Sequence, residues 1–349
     1  MASPPPRRIR IEPFGEALEI RAGESVLAAI LRQGRFVRYG CKHGGCGTCR
    51  AQRVSGDCEL SSRTSFSLSD ADRASGVVLL CSTYVTSGEA VFDVSRTMEL
   101  SEEEFRSTGR VAEYIAEVAA IESPTPDIRR VRFQLVDPPA MRFTAGQYVE
   151  VAVPGTDSEW RSYSMSSDPA DRGALEIVVK RIPGGRFSSA LDGRLRSGDR
   201  LRLRGPMGQF AVRWSHRPMV MVAGGSGIGP IRAMLWELVR TGNARPVHLF
   251  YGARRRSDLF LLEELRAVEH DQRWFRLTPT LSEPAPGAAW DGEVGLVTDV
   301  LARELPHTRG TEAYLCGSPG MIDAAIRVLI AAGCKEKQIY FDRFVPSGP

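Results

Sequence analysis

The sequence predicts a multidomain chain with a small α+β domain, then an antiparallel β-barrel, then a parallel α/β domain. Five of the seven cysteines crowd into the first quarter, short alternating strands dominate the middle, and strand–glycine turn–helix units fill the last part. A length of 349 residues suits two or three domains that each bury a core. We place the domains at 1–96, 109–213 and 214–349, with a linker at 97–108.

Composition and charge exclude several classes of protein. The chain is 42% hydrophobic and 25% charged, as in ordinary globular proteins. A net charge of +4, with no basic run longer than Arg254-Arg255-Arg256, does not indicate nucleic-acid binding. No apolar stretch approaches the ~18 residues that predict a membrane span, and the N-terminus lacks the apolar segment of a secretory signal. We therefore expect a cytoplasmic, monomeric protein that binds neither membrane nor nucleic acid.

The first domain is built around a cysteine loop. A strand at Ile9 and Ile11 and a helix with apolar residues from Val26 to Leu31 precede the loop, and a strand at 90–94 follows it. The acidic stretch 99–105 has little β character, so we interpret it as part of the linker, with a helical turn. Disulfides are disfavoured without a secretory signal, which makes a metal site the better interpretation.

The cysteine spacing indicates the kind of metal site. Cys41, Cys46 and Cys49 follow a C-x4-C-x2-C pattern, and Cys81 comes later, which is the plant-type [2Fe–2S] spacing. A short loop supplies three thiolates and a distant strand end the fourth. A zinc knuckle, a redox Cys-x-x-Cys or plain buried cysteines are the alternatives, but zinc usually needs a second close pair, and none follows Cys81. We expect His43 on the solvent side and no ligand role for Cys58.

The remaining two domains differ in their pattern of predicted strands and helices. Alternation at Val131/Phe133/Leu135 and at 149–153 predicts a small antiparallel barrel or sandwich. From residue 216 onward, a buried strand (219–223), a glycine turn (224–229) and a helix (Pro230 to Arg240) begin a parallel α/β domain. The alternation continues to a strand at 313–316 and a helix from Met321 to Ala332.

Several motifs carry a resemblance to known families. The first domain resembles the β-grasp ferredoxin domain fused to reductases of bacterial oxygenases. Arg161-Ser162-Tyr163-Ser164 resembles the R-x-Y-S motif of the ferredoxin–NADP reductase superfamily, and Gly205-Pro206-Met207-Gly208-Gln209-Phe210 resembles its G-P-x-G-x-F turn. A structural Arg–Tyr pair is the alternative for the first motif. The resemblance implies FAD, with Arg161 on the pyrophosphate, Tyr163 over one flavin face and Ser164 near the flavin N5.

Further motifs complete the implied cofactor sites. The family uses the helix start at Gly185, Arg186, Phe187 and Ser188 for the flavin pyrophosphate. The turn that resembles the family's nicotinamide pyrophosphate loop contains Gly224, Gly225, Ser226, Gly227, Gly229 and Pro230; simple strand–helix packing is its alternative. Tyr251, Gly252 and Arg254 resemble the segment near the adenosine ribose. Cys316, Gly317 and Met321 match C-G-P-P-P-M, although Ser318 and Gly320 replace prolines, which puts the rigidity of that loop in doubt.

The resemblance implies a function and three catalytic candidates. These are Ser164, Cys316 as a small polarizable wall beside the nicotinamide, and Phe344 as an aromatic cover for the flavin; an ordinary core phenylalanine is an equal alternative for Phe344. The domain order resembles NADH-dependent reductase components of multicomponent bacterial oxygenases, above all soluble diiron monooxygenases of the propane, phenol and methane type. NADH, FAD and a [2Fe–2S] cluster would then pass electrons to an oxygenase hydroxylase component. A Rieske dioxygenase reductase and a non-enzymatic electron-transfer subunit are the alternatives, and NADH is favoured over NADPH.

Overall fold

The computed structural model describes residues 7–39, 44, 47–61, 68–95, 97–98, 100–106, 111–156, 159–213, 215–287 and 289–345. The chain divides into two compact units, Met1–Ala112 and Glu113–Pro349. None of the helices in the described ranges is long and apolar enough to cross a membrane. The predicted succession of an α+β domain, an antiparallel domain and a parallel domain is confirmed.

The first unit is a mixed five-stranded sheet with a helix packed on it. Its strands are β1 (Arg7–Glu12), β2 (Glu16–Ile20), β3 (Arg50–Leu60), β4 (Val77–Leu79) and β5 (Thr83–Asp93), in the spatial order β2-β1-β5-β3-β4. Its helices are α1 (Val26–Arg32), α2 (Asp70–Ala74) and α3 (Glu102–Arg106), with a 3₁₀ turn at Leu80–Ser82. β1 and β5 run parallel and the other pairs antiparallel, which gives the predicted β-grasp.

Helices α1 and α3 show how local sequence builds this unit. The Ser25 side chain accepts a hydrogen bond from the Ala28 N–H at 3.3 Å and so starts α1, whose apolar residues are buried. In α3, Phe105 is fully buried and stacks on Phe14 with ring centroids 4.2 Å apart. Its carbonyl also accepts a hydrogen bond from the Phe36 N–H. The acidic segment before residue 107 therefore contains a helix that packs within the first unit.

The second unit begins with an antiparallel barrel. Its strands are β6 (Ala112–Thr125), β7 (Ile128–Asp137), β8 (Tyr148–Ala152), β9 (Trp160–Ser164), β10 (Ala174–Lys180) and β11 (Arg200–Met207), in the order β10-β7-β6-β11-β8-β9. Met165, which follows β9, bridges Ile177 of β10 and so joins the two edges of the sheet. The alternating residues Val131 and Phe133 are fully buried inside. A short helix, α4 (Arg186–Ala190), follows β10.

A parallel six-stranded sheet completes the second unit. Its strands are β12 (Met219–Gly224), β13 (Val247–Ala253), β14 (Phe275–Leu281), β15 (Glu293–Val294), β16 (Glu312–Gly317) and β17 (Ile339–Arg343), in the order β15-β14-β13-β12-β16-β17. Its helices are α5 (Ile228–Arg240), α6 (Leu262–Asp271), α7 (Val297–Glu304) and α8 (Pro319–Ala331), with 3₁₀ turns at Gly225–Gly227, Arg256–Asp258 and Glu336–Gln338. One hydrophobic cluster packs α5 and α6 on one face, and another packs α7 and α8 on the opposite face.

Two helices begin earlier than the sequence predicts. Helix α5 starts at Ile228 instead of Pro230, and α8 starts at Pro319 instead of Met321. The first N–H groups of a helix have no intrahelical partner, so a proline in the first turn costs no hydrogen bond. Strand order reverses between β12 and β16, and ligands of such sheets bind in the crevice outside the carboxyl ends at that point.

Candidate functional site

The first unit brings two of the four predicted cluster ligands together. Strands β3 and β4 pair Arg50 with Leu79, and the Leu80 N–H donates to the Cys49 carbonyl at 3.0 Å. Cys49 is therefore beside the 3₁₀ turn that carries Cys81, and both side chains are buried. Cys41 and Cys46 lie outside the described residues, as does His43. The two described cysteines fit a cluster whose fourth ligand arrives from a distant strand end.

Cys58 lies apart from this pair. It is on β3 opposite Val85, near the far end of the strand from Cys49, and is half-buried. Burial raises the pKa of its thiol, although Arg53 acts in the opposite direction. Its position agrees with the expectation that it is not a ligand.

At the barrel, two predicted pyrophosphate residues reach the same carboxylate. Arg161 Nη2 lies 3.7 Å from Glu159 Oε2, and Arg186 forms a short ion pair with the other oxygen of Glu159. Two guanidinium groups from different segments can thus converge on one anion. Such an arrangement suits a pyrophosphate, so the residues fit the FAD that the barrel family implies.

The other predicted flavin-site residues near Arg161 and Arg186 differ in how accessible their side chains are. Tyr163 packs against the buried Phe187, with ring centroids 5.2 Å apart, and burial raises the pKa of its phenol. The Ser188 hydroxyl accepts a hydrogen bond from the Ile182 N–H and bonds the Gly185 carbonyl, so it is occupied within its own loop. Ser162 is exposed. Of the four residues predicted at the start of α4, Arg186 is therefore the one whose charged side chain can reach a ligand.

Glycine is required at different positions of the turn after β12 for different physical reasons. A Cβ on Gly227 would lie 2.2 Å from the Cys316 carbonyl oxygen, so this glycine permits close packing against β16. Gly225 has a φ of +54° and nothing within 4 Å of a Cβ position, so its backbone borders open space. Ser226, Gly229 and Pro230 are buried. The packing interpretation applies at Gly227, and Gly225 leaves the space that the ligand-binding interpretation requires.

The carboxyl ends of β12 and β16 meet around Met321. A Cβ on Gly224 would lie 2.6 Å from the Met321 sulfur, and a Cβ on Gly317 would lie 2.8 Å from its methyl carbon. Met321 thus fills the groove between the two strand ends. Ala223 pairs with Cys316, which places the predicted thiol at the switch point of the sheet.

Three strands from two sheets bring polar groups together at this point. Ser164, at the end of β9, donates a hydrogen bond from Oγ to Oδ2 of Asp342 at 2.9 Å. Asp342 lies on β17, directly paired with Cys316 on β16. Burial first, and then the Asp342 carboxylate, raise the pKa of the Cys316 thiol well above its usual value. Two of the three predicted catalytic residues therefore share Asp342 as a neighbour.

Phe344, the third predicted catalytic residue, lies directly after the end of β17. Its N–H donates to the Gly317 carbonyl at 2.8 Å. Its half-buried ring packs on the hydrophobic core cluster that contains Cys316. Tyr251, in contrast, is fully buried, and its hydroxyl donates to the Phe260 carbonyl. Any cofactor contact of that segment therefore falls to Gly252, which is half-buried, and to the exposed Arg254.

Asp342 is the site residue that the sequence prediction did not single out. The available signal was a carboxylate in the middle of the aromatic segment Tyr340-Phe341-Asp342-Arg343-Phe344, where a charge needs a partner. Its partner is Ser164, 178 positions away in the chain, and only the packing of the barrel against the parallel sheet brings the two together.

Three protein families match this chain in order. The 2Fe-2S iron-sulfur cluster binding domain matches residues 9–86, the oxidoreductase FAD-binding domain matches 115–212, and the oxidoreductase NAD-binding domain matches 221–327. The cofactor prediction of a [2Fe–2S] cluster, FAD and NADH is confirmed. Each match covers the region in which the corresponding motifs were found.

Relatives of similar length share this organisation. The reductase component of propane 2-monooxygenase from Mycolicibacterium goodii is 36% identical over 97% of this chain and 97% of its own length. The reductase component of phenol 2-monooxygenase from Pseudomonas sp. strain CF600 is 34% identical, over 96% of this chain and 94% of its own. The crystal structure of a cytochrome P450 reductase from Amycolatopsis superposes with a TM-score of 0.86 at 28% identity, covering 97% of this chain and 99% of that one. This chain therefore belongs to the family of reductase components of bacterial multicomponent oxygenases and is an NADH-dependent flavin iron–sulfur oxidoreductase.

Proposed function

We propose that this chain passes electrons from NADH, through FAD and a [2Fe–2S] cluster, to the hydroxylase component of a multicomponent monooxygenase. The observation that carries the proposal is the contact of Ser164 with Asp342 beside Cys316, at the switch point of the parallel sheet. It joins the strand of the flavin motif to the strands of the nicotinamide motif. When bound, the flavin takes up two electrons as hydride and releases them singly to a one-electron cluster.

Ser164 and Asp342 hold a proton at a defined place. Because the Ser164 hydroxyl proton is donated to Asp342, the serine oxygen presents lone pairs on its other side. It can therefore accept a hydrogen bond from an N–H group. This pair is suited to orient a flavin edge.

Cys316 contributes a neutral surface. Its raised pKa keeps the thiol protonated at neutral pH, and it is fully buried. A neutral thiol places no charge against a reacting ring, and its sulfur is small and polarizable. We infer that Cys316 shapes the nicotinamide position and is not a nucleophile. Phe344 packs on the hydrophobic side chains around Cys316.

Arg161 and Arg186 are our candidates for holding FAD by its pyrophosphate. Arg161 is the more enclosed of the two, with a side chain 20% exposed against 53% for Arg186. A less exposed charge is less screened by water, so Arg161 should contribute more to the affinity. Gly225, Gly252 and Arg254 are the residues best placed along the nicotinamide dinucleotide, and Cys41, Cys46, Cys49 and Cys81 are the proposed cluster ligands.

The partner and the setting follow from the relatives. The propane and phenol monooxygenase components match this chain over nearly their whole length, which favours a monooxygenase hydroxylase as the acceptor over a Rieske dioxygenase. Cysteines stay reduced, and so available to a metal, in the cytosol, which supports a cytoplasmic location. We further infer that the protein is a monomer, which size-exclusion chromatography of the purified chain can check.

An anaerobic titration with NADH tests the proposal. The purified, reconstituted chain should show flavin and iron–sulfur absorbance, both bleached by NADH, and should then reduce the hydroxylase component of a monooxygenase. A chain without both absorbances, or one that does not oxidise NADH with an artificial dye, would refute the enzymatic assignment and favour a non-enzymatic subunit. Faster reduction of a Rieske oxygenase than of a monooxygenase hydroxylase would overturn the choice of partner.

The nicotinamide preference can be measured on the same preparation. Arg256 is engaged by Glu263 at 2.9 Å, so the arginine run offers less to a 2′-phosphate than its three charges imply. We expect a higher kcat/KM with NADH than with NADPH. A reversed preference would show that Arg254 and Arg255 bind the extra phosphate.

A further inference from the structure

A buried group of charges connects the barrel to the N-terminal half of α5. Glu176 on β10 is 4% exposed, and the Arg232 side chain on α5 is 15% exposed. Arg232 Nη1 lies 3.0 Å from Glu176 Oε1 and also donates to the Ser166 carbonyl at 3.0 Å. One guanidinium group therefore contacts both a carboxylate and a backbone oxygen of the barrel.

The remaining donors and acceptors of this pair are also engaged. Arg232 bonds both carboxylate oxygens of Glu264 on α6, through Nε and through Nη2. Glu176 accepts further hydrogen bonds from the Ser166 hydroxyl at 3.0 Å and from Arg130 Nη2 at 2.8 Å. Burial acts to lower the pKa of Arg130, but its hydrogen bond to Glu176 and its charge partners raise it overall. The group is a connected network in which each charge has a partner.

The position of this network relates it to both halves of the site. Ser166 lies two residues beyond Ser164, whose strand carries the flavin motif. Arg232 lies two residues beyond Pro230, the end of the nicotinamide turn. Between them, a Cβ on Gly229 would lie 3.3 Å from Val178 and 3.4 Å from Ser166, so turn and barrel are already in close contact. The guanidinium group therefore binds the barrel close to both motifs.

Stability alone does not account for such a network. Buried ion pairs often contribute little net stability compared with apolar residues of similar size, because desolvation offsets their attraction. Their directional hydrogen bonds do define one relative placement of the groups they join. Hydride transfer is sensitive to such placement, since a shift of about 1 Å can lower a rate by roughly a hundredfold.

We propose that Arg232 and Glu176 are positioning residues for hydride transfer, which hold the nicotinamide turn at a set distance from the flavin strand. The inference rests on the proposed function and adds to it a determinant of rate outside the cofactor contacts. Arg232 acts through Ser166 and the turn, and not by touching a cofactor.

The test is the rate of flavin reduction by NADH in a single turnover. In Arg232→Met, Glu176 keeps Arg130 and the Ser166 hydroxyl, so no buried carboxylate is left without a partner. We expect the limiting rate to fall roughly ten- to a hundredfold, with less than about a threefold change in NADH affinity and an unchanged FAD content. The long-wavelength charge-transfer absorbance of the nicotinamide–flavin complex should weaken in parallel.

Two further variants make the result specific. Arg240→Met removes a second ion pair between α5 and the barrel, to Asp168 at 3.5 Å, which is exposed; it should leave the rate and the absorbance unchanged. Arg232→Lys keeps the charge but not the fork geometry, and should give an intermediate rate. If Arg232→Met does not fold, Arg232→Lys decides by the same measurements.

The outcomes separate this inference from the proposed function. If the unmodified chain does not reduce its flavin with NADH, the proposed function itself fails. If the unmodified chain does so, but Arg232→Met has an unchanged limiting rate and only a lower Tm, the network is structural and the positioning role is refuted. Loss of FAD from the variant would also refute it, because the network would then serve to hold the flavin.

Discussion

Cys49 and Cys81 in the first unit become neighbours through one antiparallel pairing, that of β3 with β4. In the second unit, Ser164, Cys316 and Asp342 come from β9, β16 and β17, which belong to two different sheets. The two described candidates for cluster ligands thus meet at one sheet edge, whereas the proposed nicotinamide–flavin site requires two layers to pack together. Ligand spacing is therefore informative for the first site and insufficient for the second.

The two sites also differ in their electrostatics. Cys49 and Cys81, the two described candidates for cluster ligands, are buried, and as thiolates their charge would be balanced by the iron of a cluster. The second site contains a carboxylate that accepts a hydrogen bond from a hydroxyl and lies beside a neutral thiol, with a network of arginines and glutamates nearby. Loss of one group should abolish the first site and only slow the second. The predictions below test this difference.

The largest effect is expected at the cluster. Cys81→Ser should remove the cluster and lower electron transfer to the protein acceptor by at least about a hundredfold, because a thiolate ligand is lost. NADH oxidation with a dye that accepts electrons from the flavin should persist. Iron and sulfide content, with both assays, measures this. Cys58→Ser is the matched control and should retain the cluster; if it does not, the assignment of Cys58 as a bystander is wrong.

A smaller effect is expected at the hydrogen-bonded pair of Ser164 and Asp342. Asp342→Asn keeps a hydrogen-bond acceptor for Ser164 but removes the carboxylate, so the single-turnover rate of flavin reduction should fall roughly tenfold or more. FAD content should not change. Asp323→Asn, which removes the ion pair of the adjacent Arg343, is the control and should leave the rate unchanged. Equal losses in both variants would indicate a general disturbance of β17 instead of a role for Asp342.

Cofactor affinity should be affected next. Arg161→Met should weaken FAD binding by about 1.5–3 kcal/mol, the range for hydrogen bonds to a charged group. This corresponds to roughly ten- to a hundredfold in Kd. Arg186→Met should cost less, because its side chain is more exposed. Fluorescence titration of FAD-depleted protein measures both constants, and a reversed order would contradict the assignment of Arg161 as the main anion contact.

The smallest effect concerns the reactivity of Cys316. The thiolate is the reactive form, so a pKa raised in the folded state shifts alkylation to higher pH. Near pH 8, Cys316 should therefore react more slowly in the folded protein than in denaturant, with labelling increasing only as the pH rises further. Mass spectrometry after iodoacetamide treatment follows this residue. Rapid labelling of folded protein at pH 8 would contradict a neutral, enclosed thiol.

Several features were predictable from local patterns. The cysteine spacing, the period-two strands and the glycine turn after a buried strand each reflect a chemical or steric need within a few residues of the chain. The starts of α5 and α8 were predicted two residues late, since a proline in the first turn does not interrupt a helix. Tyr251, predicted at a cofactor, is fully buried, because its strand places that side chain inside the core.

The sequence by itself determined the domain order, the class of each fold, the cofactors and most of the segments that carry them. The tertiary structure decided which side chains of those segments meet: Asp342 with Ser164, Cys316 with Asp342, and Arg232 with Glu176 and Ser166. The physical reason is the sequence separation over which each interaction acts. Ligand spacing, strand alternation and turn sterics act between residues close in sequence, whereas a hydrogen bond between residues far apart in the chain exists only after two layers have packed.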